Sequence, residues 1–213
     1  NLYVVLFLVL LQGFIGWYMV QSGLTKNVTV SHFRLSIHLL MAFIIFSLVL
    51  WSIINLKNKN YIFFFNKSKN QILIQFFIFL LFAQIIFGAF VSGLDAGKLY
   101  QTWPLMNDKF FPDDVNNAFN FYNPSLVQFY HRCIAYLIFF VSIYLGYSIY
   151  IEKPILLKKF LFVFIIILSQ MILGILTLYT NVNIYIALLH QLTGLLLIGS
   201  TIIFYYYYRK YQK

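Results

Sequence analysis

Three histidines occupy matching places in this chain. His38, His131 and His190 each lie near the start of an apolar stretch, and the apolar stretch before each one carries a glutamine and a glycine four residues apart: Gln12 with Gly16, Gln84 with Gly88, and Gln170 with Gly174. An ionisable side chain inside hydrocarbon is costly and points to function, and neutral imidazole is a common metal ligand. Two imidazoles at one depth on facing helices can supply both axial ligands of a haem whose flat ring slots between the helices. Zinc would instead want a compact set of four ligands including Cys or carboxylate, and none falls inside the apolar stretches. The glutamines and glycines have a plainer reading, in which Gly lets two helices approach and Gln hydrogen-bonds across the bundle. His32 stands outside the repeat and reads as a surface residue of a loop.

The surroundings of these residues must be lipid. Hydrophobic residues make up 62% of the 213 and charged residues only 9%, whereas a water-facing domain has about a quarter of its residues charged. The formal charge of +10 does not indicate a nucleic-acid binder, because the basic residues sit in short clusters between apolar runs and form no single basic face. Cys133, the only cysteine, cannot form an intrachain disulfide and reads as a free core thiol.

A spanning helix needs ~20 apolar residues to cross ~30 Å of hydrocarbon. Six stretches meet that length: about 2–20, 34–54, 71–92, 126–149, 159–180 and 184–208. Only helices fit, since backbone groups in lipid must be paired within the segment. The expected fold is therefore all-α, a polytopic membrane bundle of six transmembrane helices. The connection 93–125 carries Asp95, Asp108, Asp113, Asp114, Pro104 and Pro112, and reads as an ordered, lid-like external loop.

Cytoplasmic loops are enriched in Lys and Arg. Lys57, Lys59, Lys67, Lys69, Lys153, Lys158, Lys159, Arg209, Lys210 and Lys213 share one side, ten of the fifteen basic residues. The other side has Lys26, Arg34, Lys98, Lys109 and Arg132 with four of the five acids. The first side is expected to be cytoplasmic, with both ends of the chain on it. The run Tyr205 to Tyr208 beside Arg209 reads as an interfacial aromatic belt.

The chain is thus three copies of a helical hairpin, with Gln-x-x-x-Gly on the outward limb and His on the returning limb. Repeats of this kind place sites at their interfaces. His131 and His190, from the last two hairpins, are expected to pair. His38 then requires a partner from a further hairpin preceding Asn1, which gives an eight-helix protein of two pseudo-symmetric four-helix halves. The expected division is 1–58, the second hairpin of an N-terminal half, and 59–213, a C-terminal four-helix half with the external loop 93–125.

The local strings carry a resemblance. QGFIGWYMVQSGL at 12–24, RLSIHL at 34–39, GAFVSGLDAG at 88–97, TWPLM at 102–106, VQFYHRCIAY at 127–136, and LGILTLYTNV with LLHQLTG at 173–194 together resemble the haem A synthase family, in its mitochondrial and alphaproteobacterial form. The resemblance covers nearly the whole chain. It implies that His131 and His190 hold a haem b in the C-terminal half, while the N-terminal half receives haem O and His38 supplies a ligand to that substrate. A methyl group of haem O is then oxidised to a formyl group, yielding haem A for cytochrome c oxidase.

The companion histidine of His38 and a nearby glutamate belong to the family's second helix and are not in this sequence, so the chain by itself is expected to be inactive. Arg132 and Arg34 are candidates for haem propionates, since guanidinium pairs well with carboxylate, or else for snorkelling to the outer head groups. Two positions depart from the family pattern: Gln101 replaces the usual Asn, and Tyr122 stands where many members have Glu. The resemblance further implies a bacterial inner (plasma) membrane or a mitochondrial inner membrane, an electron donor of unstated identity, hand-over of haem O from a haem O synthase, and room for a homo-oligomer. Two other classes share the paired histidines. A dihaem cytochrome b-type electron carrier would hold one haem type only, and a proton-relaying transporter would show no Soret band.

Overall fold

The computed structural model describes residues 2–23, 30–59, 61–64 and 71–211. Six α-helices run through them: α1 Leu2–Gly23, α2 His32–Asn58, α3 Ile72–Gly93, α4 Pro124–Glu152, α5 Leu157–Tyr179 and α6 Ile184–Lys210. All six are long and apolar enough to cross a membrane, and the chain is a multi-pass membrane protein. Among the described residues the only β pairing is a single bridge between Met106 and Lys109. Lys26, Lys67, Lys69 and Lys213 lie outside the described residues.

Capping residues explain where several helices begin. The Asn123 side chain accepts hydrogen bonds from the Ser125 and Leu126 backbone N–H groups, and Pro124 takes the first helical position, where its missing N–H costs nothing. Asn183 caps α6 through the Tyr185 N–H. Between α5 and α6 the turn is made by Asn181 and Val182, both left-handed at φ 52° and 58°. A β-branched residue there is strained, and the hydrogen bond that the Gln101 amide donates to Asn181 Oδ1 (2.8 Å) ties this turn to the long connection 93–125.

The helices pack as three successive hairpins, α1 on α2, α3 on α4 and α5 on α6. Helices α3 to α6 form a four-membered ring, in which α4 also touches α5, and α6 touches α3. Helix α2 crosses the outside of this ring. Its outer end presses on α3, where a Cβ on Gly93 would stand 2.9 Å from His32 Cα, and its inner end lies on α6, with Phe46 against Gly199. Helix α1 touches α2 alone, and none of its described side chains is buried.

The hydrophobic core lies to one side of the histidine level. Its buried members end at Leu81 on α3 and Ile167 on α5, and begin at Phe43 on α2, Ile138 on α4 and Leu197 on α6. Each of these lies on the inner side of the Gln or His of its own helix. The tyrosine run belongs to this core, which corrects the expectation of an interfacial belt. Tyr205 and Tyr206 are 0% exposed and Tyr208 6%. Tyr205 accepts a hydrogen bond from Gln75 Nε2 and donates one to the Phe64 carbonyl, while Trp51 packs on both Tyr205 and Tyr206. Four consecutive tyrosines point round the whole helix, so most of them face protein in a bundle with neighbours on several sides.

Candidate functional site

Each hairpin brings its glutamine, histidine and glycine together. Gln12 Nε2 stands 3.4 Å from His38 Nε2 and donates to the His38 carbonyl at 3.0 Å. Gln84 Nε2 stands 3.2 Å from His131 Nε2, and Gln170 Nε2 donates to the His190 carbonyl at 2.7 Å. The glycine one turn further on meets the ring edge. A Cβ on Gly16 would lie 2.9 Å from His38 Cε1, one on Gly88 3.3 Å from His131 Cε1, and one on Gly174 3.3 Å from His190 Cε1. Gln and Gly lie four residues apart on one helix face, so they grip the same histidine from successive turns. These glycines do lie where two helices approach, and the neighbour that a side chain would strike there is imidazole.

In all three histidines Nδ1 is buried and without a hydrogen-bond partner. Unsatisfied buried polar atoms are uncommon in native proteins and ask for an explanation. Three equivalent ones at one level fit metal ligation, for which neutral imidazole has the right chemistry. Zinc does not fit, because among the described residues no group of three or more His, Cys, Asp or Glu is gathered to hold an ion.

The helices that carry His131 and His190 stand diagonally across the four-membered ring. No Cα of α4 comes within 8 Å of α6 among the described residues, yet the two imidazoles lie near enough to interact electrostatically. No residue of α5 beyond Ile167 and none of α6 before Leu197 is buried. At the histidine level α5 and α6 are therefore less closely packed than in the core below. His131 and His190 are the residues of this ring that would hold a haem, for which paired imidazoles on separate helices have the right chemistry. His38 sits on α2, outside the four-membered ring.

The long connection 93–125 is ordered over the histidine end of the bundle. Arg132, buried at 8% exposure, donates from Nη1 to the Thr102 and Leu105 carbonyls and from Nη2 to the Tyr100 carbonyl. Its guanidinium is thus spent on the loop, with only Nε left without a partner. Gln128 donates to the Tyr100 carbonyl and Tyr179 to that of Trp103. Because Arg132 follows His131 directly, the loop is fastened beside a candidate ligand. At the loop's far end Asp114 has its carboxyl held below the usual carboxylate range. Burial alone would raise it, but hydrogen bonds from Ser125, Asn123 and Tyr100 outweigh that. Arg34 lies over the Tyr18 ring, 5.2 Å from its centroid.

His32 differs from its expected surface position. It is the first residue of α2, 4% exposed, and packed against the rings of Phe33, Phe90 and Tyr122. The aromatic replacement at Tyr122 supplies part of that packing, a contact the position of His32 between two polar-looking segments did not reveal. Cys133 is a free thiol of intermediate burial.

Residues 1–202 match a family model described as cytochrome oxidase assembly protein. The chain belongs to that family. It is 48% identical over 212 residues to the heme A synthase of Pelagibacter ubique (strain HTCC1062), covering 96% of this chain and 61% of that relative. It is 40% identical over 213 residues to the heme A synthase of Rickettsia africae (strain ESF-5), covering 96% and 62%. Against that of Rickettsia prowazekii (strain Madrid E) the identity is 37% over 214 residues, covering 97% and 63%. The chain thus spans about three fifths of the length of these relatives, and the three Gln, His and Gly units all fall within the part that matches the family.

Proposed function

We propose that this chain carries haem-holding helices of a haem A synthase, which oxidises a methyl group of haem O to a formyl group and so makes haem A for cytochrome c oxidase. The observation that carries this reading is that His131 and His190 sit in matching Gln and Gly niches on the two diagonal helices of the ring, in a chain 48% identical to a heme A synthase. In this reading His131 and His190 would hold a resident haem b, residues 59–213 would form its four-helix half, and residues 1–58 would belong to the half that takes haem O. Haem b, when bound, supplies a one-electron redox centre. His38 serves the substrate.

The residues of the chain perform the remaining tasks. The core from Leu197 to Tyr208, with its partners on α2 to α5, seals the inner side of the site against the cytoplasm. Arg132 fastens the external loop over the outer side, which restricts water at the ligand level. Gly16, Gly88 and Gly174 make room for the imidazole edges. The test is acid–acetone extraction and chromatography of the haems from the full-length protein purified in detergent. Haem b together with haem O or haem A is expected. Haem b alone would instead indicate an electron carrier, and no haem at all a transporter.

The inner-membrane location and the orientation belong to the same reading. The Lys and Arg asymmetry puts 55–70 and 150–158 on the cytoplasmic side, or the matrix side of an organelle, and 93–125 outside. Alkaline phosphatase fused within 93–125 should be active, and fused within 150–158 inactive. The reverse pattern would invert the topology.

A further inference from the structure

We propose that Gln84 and its counterpart Gln12 are positioning residues that orient the histidine rings and tune the iron through them, while Gln170 holds the backbone of His190. The inference rests on the haem reading above and extends it to residues that make no contact with iron. Its basis is that in two hairpins the glutamine of one limb stands at a ring nitrogen of the histidine on the other limb, while in the third it holds that histidine's backbone. Gln84 and Gln12 reach the ring nitrogen Nε2 of their histidines. Gln12 and Gln170 also hold the histidine carbonyl, at 3.0 and 2.7 Å. A second hydrogen bond on that carbonyl fixes the depth of the returning helix, while the glycine contact limits the swing of the ring edge.

The chemistry of the amide suits the role. A metal-bound histidine usually donates its other ring N–H to an acceptor, which fixes tautomer and ring plane and raises the basicity of the ligand. That acceptor is often a carboxylate, but the five acids of this chain lie in the external loop or at the inner end of α4. A glutamine can present either its N–H or its C=O to a ring nitrogen, and the Oε1 atoms of Gln12 and Gln84 are buried without a partner. The amide therefore has an acceptor in reserve for the N–H at Nε2, the ring nitrogen it stands beside, when Nδ1 is the one taken by iron. An uncharged acceptor orients the ring without adding a buried charge, which would be costly in the membrane.

Two variants of Gln84 test this on the detergent-purified protein, with the midpoint potential and the electron paramagnetic resonance g-values of the low-spin haem as readouts. Gln84→Leu removes the acceptor and is expected to raise the potential, shift the g-values as the ring plane relaxes, and lower haem affinity by roughly 10–100-fold. Gln84→Glu keeps the length, strengthens the acceptor, and is expected to lower the potential. Opposite displacements by the two variants are the signature of positioning through the ring, since a loss of packing alone would move both alike. Shifts in the same direction, or none while haem is retained, would overturn the assignment. If Gln84→Leu cannot hold haem, Gln84→Glu decides by itself, a lowered potential supporting the proposal and an unchanged one defeating it. A lack of any bis-imidazole spectrum in the unaltered protein would instead defeat the haem reading, which keeps the two failures apart.

Discussion

In the full-length protein, alanine at His131 or at His190 is expected to diminish or convert the low-spin haem b spectrum, whereas alanine at His38 leaves that spectrum mostly intact and stops conversion of haem O. A bis-imidazole iron needs both ligands, and His131 and His190 are the two imidazoles carried by the diagonal helices of the four-membered ring α3 to α6. His38 reaches its depth on α2, which lies outside that ring and is gripped by Gln12 and Gly16 of α1. Loss of one axial ligand should convert the remaining haem to a high-spin form or release it. The measurement is the reduced-minus-oxidised difference spectrum with the haem content per chain, followed by chromatography of extracted haems for turnover. Loss of haem b in His38→Ala with retention in His190→Ala would move the cofactor to the other half and refute the pairing.

The level of these histidines was legible in the sequence because three repeats place them alike, and hydropathy alone delimits the spans. The helix starts were less so. Apolar length puts the start of the fourth span near 126, while the structure begins α4 at Pro124 because Asn123 caps it and proline suits the first turn. Hydropathy also does not say which way a side chain faces. The tyrosine run beside Arg209 has the composition of a membrane belt, yet Tyr205 and Tyr206 are enclosed by Trp51 and the inner core. The same limit applied to Arg132, whose charge suggests a propionate partner but whose three bonds to loop carbonyls depend on how residues 100–105 fold back. The Gln-x-x-x-Gly spacing signalled a shared helix face. That its target is the histidine of the facing limb requires the packing of the two limbs.

Substitution of the glycines should grade with the room each one has. A Cβ at Gly88 or Gly174 would stand 3.3 Å from the imidazole Cε1, so alanine there asks the ring to give by a few tenths of an ångström and should reduce haem retention only slightly. At Gly16 the corresponding distance is 2.9 Å, and alanine must displace the His38 ring. Leucine at any of the three puts three more carbons into the same place. The ring has little freedom to yield, because the glutamine one turn back holds either the ring or the backbone of the same histidine. Overpacking of this kind costs about 1–3 kcal/mol, and a displaced axial ligand should cost most of the bound haem. Gly174→Leu is therefore expected to lose the low-spin spectrum almost as fully as His190→Ala, although no ligand is altered. Gly13 supplies the internal control: nothing lies within 4 Å of its would-be Cβ, so Gly13→Ala should leave haem binding intact and stabilise α1 by up to about 1 kcal/mol through helix propensity. Haem per chain and thermal unfolding in detergent measure the series. Unchanged haem content and unchanged stability in Gly174→Leu would mean that this glycine faces lipid and that the ring contact does not hold the ligand.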